Sequence, residues 1–303
     1  NEAIKDFNRA IELDSDYKWA IANRGATYQF MECYDKALKD FNRTIELDSD
    51  YKWTIADRGV TYRLMERYNE AIKDFNRAIE LDPKYDWAIA NRGKTYRLME
   101  RYNEAIKDFD RAIELDPKYE WCISERAWLQ QTLGNYEKSA EDFTRLVKLS
   151  SEKDQYIIAG RGLNSLLRGN YGSALEDLNH AMELDENPPI YCCRALTYVR
   201  LKEIEQAKKD ISQAIKLAQK QYEEDPNEHR NTCNLGLYYL IVRKPDQAKF
   251  FYQEALTRGV SVSTLRDVID DLKKLLIILP NHPHTAGMQS FLESNLSLRQ
   301  INV

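Results

Sequence analysis

Five cysteines, an odd number without a CxxC pair, are all the sequence offers: Cys33, Cys122, Cys192, Cys193 and Cys233. That set makes no disulfide framework and suits a reducing cytosol. Long apolar runs are missing too. Leu275 to Leu279 falls far short of the roughly 20 residues that span a bilayer, and no stretch reads as a signal peptide. There is no glycine-rich phosphate loop, no HExxH and no GxSxG. No enzyme and no cofactor are therefore expected within these residues. The net charge of −5 argues against a nucleic-acid partner. Hydrophobic residues at 43% beside charged residues at 31% fit exposed amphipathic helices.

What is present is a repeat. The stretch YDWAIANRGKTYRLMERYNEAIKDFDRAIELDPKY from Tyr85 is matched 34 residues earlier from Tyr51, and 34 residues before that from Tyr17. Each copy carries two apolar stripes at helical spacing, separated by a short polar break. Small residues fall where two helices would touch. In the first helix these are Gly25, Gly59, Gly93, Ala127, Gly162, Ala195 and Gly236. In the second they are Ala3, Ala37, Ala71, Ala105, Ser139, Ala174, Ala207 and Ala248. A mid-helix glycine costs about 1 kcal/mol against alanine, so its recurrence predicts close helix approach. Pro83 and Pro117 stop the second helix.

The pattern small-x2-Tyr, then Tyr-x2-Ala-x3-Phe-x2-Ala-x2-Leu-Asp-Pro, resembles the tetratricopeptide repeat over nearly the whole chain. The resemblance implies an all-α fold: a right-handed α-solenoid of antiparallel helix pairs, with a C-terminal capping helix. Residues 1–16 read as the second helix of a truncated unit, which predicts a fragment of a longer polypeptide. A catalytic domain could lie before Asn1. Residues 17–187 read as five regular units and 188–259 as two degenerate ones. Between Ala195 and Gly236 the spacing grows to 41 residues, so the sixth unit is expected to have a longer second helix or connection. Residues 260–303 read as the capping helix (Val262 to Leu279), a short helix near 286–296 and a loose tail.

One feature departs from the family. Where it usually has leucine before the small residue, this chain has Arg24, Arg58, Arg92, Arg126, Arg161 and Arg194. A core-facing arginine needs a partner. Asp40, Asp74, Asp108, Asp142, Asp177 and Asp210 precede the large apolar residue of the second helix, which is Phe in the first four, then Leu178 and Ile211. The seventh unit loses both partners at once, with Leu235 and Phe251. That coupled loss predicts a structural Arg–Asp ladder. A rival pairing sets each Asp against an Arg three residues on, such as Asp74 with Arg77. His180 and Gln213 replace that Arg while the Asp stays, which speaks against it.

In the family the concave groove is lined by the second, fifth, ninth, twelfth and thirteenth residues of each first helix. Mapped here, the resemblance implies a partner-binding groove containing Trp19, Trp53, Arg63, Trp87, Lys94, Arg97, Trp121 and Trp128, with Val60, Leu64, Leu98 and Gln131 beside them. Tyr156 continues the tryptophan line. Two readings stand for the tryptophans: binding hot spots, or rings sealed against the preceding unit. The expected partner is a protein or peptide segment, acidic or aromatic-bearing, together with other domains of the same polypeptide. Nucleic acid and membrane are not expected.

Near-identical repeats with a degenerate end resemble the C-terminal sensor arrays of bacterial STAND-type signalling and defence proteins. The alternative is a stand-alone adaptor. The chaperone-gripping clamp of the co-chaperone subfamily, Lys at the fifth and Asn at the ninth groove position, is absent: Ala22, Ala56, Ala90 and Ser124 hold the fifth, and Ala26, Val60, Lys94 and Trp128 the ninth. RNA binding, as in pentatricopeptide arrays, is opposed by the acidic balance. Cys192, His229 and Cys233 form a weak metal candidate without a specified fourth ligand. Small buried hydrophobes are the plainer reading of the cysteines.

Overall fold

The computed structural model describes residues 2–151 and 153–301, and for residues 300 and 301 the backbone alone. The expectations placed on Asn1 and on the last two residues of the tail lie outside them. Among the described residues there are seventeen α-helices and no strand. Helix α1 is Glu2–Leu13. The units then run as pairs: α2 (Lys18–Phe30) with α3 (Tyr34–Leu47), α4 (Lys52–Leu64) with α5 (Tyr68–Leu81), α6 (Asp86–Leu98) with α7 (Tyr102–Leu115), and α8 (Glu120–Thr132) with α9 (Tyr136–Leu149). There follow α10 (Gln155–Leu167) with α11 (Tyr171–Leu184), α12 (Pro188–Leu201) with α13 (Ile204–Glu224), α14 (His229–Ile241) with α15 (Pro245–Thr257), then α16 (Val262–Ile278) and α17 (Thr285–Ile301). The chain divides into two compact bodies, residues 1–129 and 130–303.

In a pair that lies within one body, such as α2 with α3, the helices run antiparallel. Arg24 meets Asp40, Tyr28 meets Lys36 and Gly25 faces Phe41, so contact positions close symmetrically about the turn. Where a large ring faces it, glycine makes room at that contact. A Cβ on Gly93 would stand 2.9 Å from Phe109, and one on Gly236 would stand 2.7 Å from Tyr252. Both rings are fully buried, so neither has room to withdraw.

The turn between paired helices has a chemistry that the repeat pattern does not advertise. Cys33 N–H donates to Tyr28 O at 2.8 Å and Glu32 N–H to Gln29 O at 2.9 Å. This is the Schellman arrangement, and it needs a left-handed residue just past the helix end. Gly134 and Gly169 fill that place in the fourth and fifth units, but Glu32, Glu66 and Glu100 fill it at φ 57°, 60° and 61° in the first three. A non-glycine there costs about 1–2 kcal/mol. Glu66→Gly is therefore expected to stabilise the chain by about 0.5–1 kcal/mol after the glycine's extra unfolded-state entropy. Gly169→Ala should do the reverse. Urea unfolding measures both, and a destabilised Glu66→Gly would show that its side chain holds the turn.

The second helices α3, α5, α7, α11 and α13 end on aspartate. The side chains of Asp48 and Asp82 accept from the N–H two residues on, at 3.1 and 2.9 Å, which turns the chain out of the helix. Asp48 does this with Ser49 following, so Pro83 reinforces a stop that the aspartate already makes.

The C-terminal body follows expectation in the sixth unit, where a longer second helix was one of two alternatives, and departs from it at the last helix. Helix α13 is the long element of the sixth unit, at 21 residues. Helix α17 runs to Ile301, well beyond the short helix expected near 286–296. Helix α16 touches α14, as a cap on the seventh unit would, and also reaches α10 of the fifth unit.

Candidate functional site

The Arg–Asp pairs are bidentate. Arg24, Arg58 and Arg92 each donate from Nε and Nη2 to the two carboxylate oxygens of Asp40, Asp74 and Asp108 at 2.7–2.8 Å. Arg161 with Asp177 and Arg194 with Asp210 repeat the geometry at 2.6–2.9 Å. Asp74 and Asp108 are buried, so the fork matches charge where water is scarce.

The rival partner of Asp74 is engaged elsewhere: Arg77 Nη2 donates to Asp50 at 2.8 Å. A third contact was hidden from sequence reasoning. The remaining Nη1 of Arg24, Arg58, Arg92 and Arg194 donates to Asn8, Asn42, Asn76 and Asn179 on the preceding second helix, at 2.7–2.8 Å, and Arg126 does the same to Asp110 at 2.6 Å. The signal was the residue after each second-helix aromatic or leucine. Each of these five arginines thus fastens its unit to the one before. In the seventh unit the rung is apolar instead. Leu235 is fully buried, and Phe251 stacks on Tyr239 at 5.5 Å with Tyr222 edge-on at 5.5 Å.

In the N-terminal body the first helices α2, α4 and α6 lie side by side. The sixth and twelfth residues of each link neighbours across this face. Gln29 Nε2 donates to Asp57 O at 2.9 Å and to Thr61 Oγ1 at 2.7 Å. Arg63 Nη2 lies 3.4 Å from Asn91 Oδ1. Lys94 Nζ donates to Glu125 Oε1 at 2.7 Å, and Arg97 Nε lies 3.3 Å from Glu125 Oε2. The expected basic face is thus not a set of free charges. Glu125, which the groove mapping passed over, draws on all three cations, because its field also reaches Arg63. One carboxylate cannot neutralise three cations. The Nε–H groups of Arg63 and Arg97 are buried and make no hydrogen bond, and burial pulls the Arg63 guanidinium below its usual pKa.

The tryptophans divide between the two readings. Trp19 and Trp53 are 52% and 53% exposed and Trp128 is 36% exposed, whereas Trp87 and Trp121 are half-buried. Each second-position ring leans on the tyrosine two residues before it, at 5.6–6.0 Å. Lys94 Nζ lies 5.2 Å from the Trp121 ring centre. Gln131 belongs to the C-terminal body and is 2% exposed, so it adds nothing to this face.

Cys192 and Cys233 are buried, and burial lifts both thiols, Cys233 to about 12. Thiolate ligands are therefore disfavoured. Among the described residues no three His, Cys, Asp or Glu side chains are placed to hold a metal ion, so Cys192, His229 and Cys233 do not form the site the sequence left open. Nor, among those residues, is any helix long and apolar enough to cross a membrane.

Comparison with known proteins agrees with this geometry. A tetratricopeptide-repeat family model matches residues 56–85 and 87–119, and a second matches 188–221. A model of anaphase-promoting complex subunit 5 matches residues 3–54. No curated protein matches the chain. Among solved structures, a tetratricopeptide repeat protein from Parabacteroides merdae aligns with TM-score 0.65 at 16% identity, over 83% of this chain and 96% of that one. Pseudomonas aeruginosa pilF aligns with TM-score 0.59 at 14% identity, over 66% and 91%. The APC/C hetero-tetramer Cut9–Hcn1 aligns with TM-score 0.57 at 15% identity, over 95% and 52%. At these identities the likeness is one of fold.

Proposed function

We infer that this chain, an array of tetratricopeptide repeats, is a non-catalytic protein-interaction scaffold whose partner site is the first-helix face of the N-terminal body. The observation that carries the reading is the surplus of Arg63, Lys94 and Arg97 over Glu125, set beside exposed Trp53 and Trp128. Half-buried cations without a full set of acceptors favour an anionic ligand, and exposed rings supply area to bury. The ligand is a protein segment carrying carboxylates, with aromatic or aliphatic side chains between them. The likeness of fold to the hetero-tetrameric Cut9–Hcn1 assembly fits an array that works by holding other chains.

The test is a panel of synthetic peptides of equal length, acidic, neutral and basic, titrated against the full chain. Acidic members are expected to bind. Arg63→Gln with Arg97→Gln should weaken them at least about tenfold, roughly 1.4 kcal/mol. Neutral glutamine is the right change, because glutamate at both places would crowd Glu125 with like charge and shift the melting curve for reasons unrelated to binding. Unchanged affinity in that variant would move the site off this face.

Within this reading we assign the array to the ligand-recognition arm of a larger signalling or defence protein in a reducing, cytoplasmic setting. The near-identity of the first three full units and the five free cysteines among the described residues support it. The reading frame upstream of Asn1 decides: a nucleotide-binding domain there supports the sensor role, and its absence supports a stand-alone adaptor.

A further inference from the structure

The C-terminal body shows what this kind of face holds. Helix α16 lies against α14 and α10, with Leu265, Ile269 and Leu272 buried. Its Asp271 accepts from Arg230 Nη2 at 2.8 Å. Arg230 is the second residue of α14, the register of Trp19 and Trp53. Asp271 and Lys274 also bring their charges to Cys193. Cys193 is the sixth residue of α12, the register of Asp57 and Glu125. In that body, an amphipathic helix therefore sets its carboxylate on an arginine at the second position of α14 and brings its charge near the sixth position of α12.

In the N-terminal body the sixth register is taken up by links between neighbouring helices, with Asn91 buried and Glu125 held by Lys94 and Arg97, but the second register lies open at its start. Trp19 and Trp53 are half exposed there, and the surplus cations stand a turn or two along the same helices. We propose that this face takes an acidic amphipathic α-helix from a partner protein. Carboxylates on one side of that helix meet Arg63 and Arg97, and its aliphatic stripe covers Trp53 and Trp87. The proposal rests on the reading of this face as the partner site and adds the conformation and side-chain pattern of the ligand. An i, i+3, i+4 stripe presents both features along one side of a helix, as Leu265, Val268, Ile269 and Leu272 do in α16.

All five tryptophans lie between Trp19 and Trp128, so their emission reports on the N-terminal body of the intact chain. The probe is a synthetic peptide with the sequence of residues 262–278, carrying Lys273→Glu and Lys274→Glu to make it acidic. Its control carries the same two changes and Leu272→Pro, which keeps the charge and breaks the helix at a cost of about 3 kcal/mol. The helical peptide is expected to shift the tryptophan emission and to bind at least tenfold more tightly than the control. Arg63→Gln with Arg97→Gln should remove most of that affinity while the circular dichroism of the chain stays unchanged. Equal binding of peptide and control overturns the helix and leaves the anionic partner site standing. Failure of both peptides overturns the proposal, and if the mixed peptide panel fails as well, the partner site falls with it.

Discussion

Replacing Arg92 with leucine is expected to lower the unfolding free energy by about 3 kcal/mol, and replacing Arg92 and Asp108 together by leucine to recover most of that loss. The single change strips two charge-assisted hydrogen bonds from Asp108, whose side chain is 8% exposed, and one from Asn76. A buried carboxylate without its partner is costly, about 3–5 kcal/mol in fully buried pairs. Arg92 keeps 18% exposure, which places the expectation at the low end. The double change removes the charge along with its partner, and apolar replacements of buried pairs are often neutral. The seventh unit already contains such a replacement, with Leu235 and Phe251 packed between tyrosines. Urea unfolding of the wild type, both single variants and the double closes the cycle. A coupling energy near zero would show that the two side chains stabilise the fold separately. A double variant as unstable as Arg92→Leu would show that Asn76 and the preceding unit matter more than the aspartate.

The arginine and aspartate could be matched in the sequence because one unit loses both, so their coupling is written as a coincidence of residues. The glycine contacts could be read because the fixed period returns Gly25, Gly59 and Gly93 to one register. Other features left no such trace. Glu32, Glu66 and Glu100 hold left-handed turns that glycine would mark, and a glutamate at that place looks like ordinary surface charge. Glu125 sits one place after Ser124, outside the five positions taken to line the groove, yet its carboxylate reaches across to the preceding unit's cations. The stripe of α16 showed that the helix would be buried, but amphipathicity names no neighbour. Its seat on α14 is fixed by the ion pair of Arg230 with Asp271, which repeats nowhere from which it could be inferred, and its contact with α10, several helices back along the chain, has no counterpart among the described residues of the other units.

Changing Asp57 to asparagine is expected to stabilise the chain by about 2 kcal/mol at pH 7 and by nearly nothing at pH 4. The register supplies the reason. The first and third full units have Asn23 and Asn91 at this place, and their Nδ2 groups donate to Trp19 O and Trp87 O at 2.7 and 2.9 Å. Asp57 stands one unit between them, and an ionised carboxylate has no hydrogen to give Trp53 O. Burial raises its pKa to about 6. The folded state therefore holds a proton that the unfolded chain has released, from the ordinary carboxylate range near pH 4 up to about pH 6. Where the native state binds more protons, stability falls as pH rises. Asp57 costs nothing below the unfolded pKa and its full penalty above about 6, and a shift of about two units corresponds to at most about 3 kcal/mol. Partial exposure of the side chain brings that to about 2. Every other ionisable group is common to both proteins, so the difference between wild type and Asp57→Asn isolates this one group. Urea midpoints at intervals from pH 4 to 8 should diverge through pH 5 and 6 and then run parallel. A gap already open at pH 4 would assign the gain to the hydrogen bond of asparagine with Trp53 O, and no gap at pH 8 would mean that the carboxylate finds in the folded chain a cation that offsets its burial.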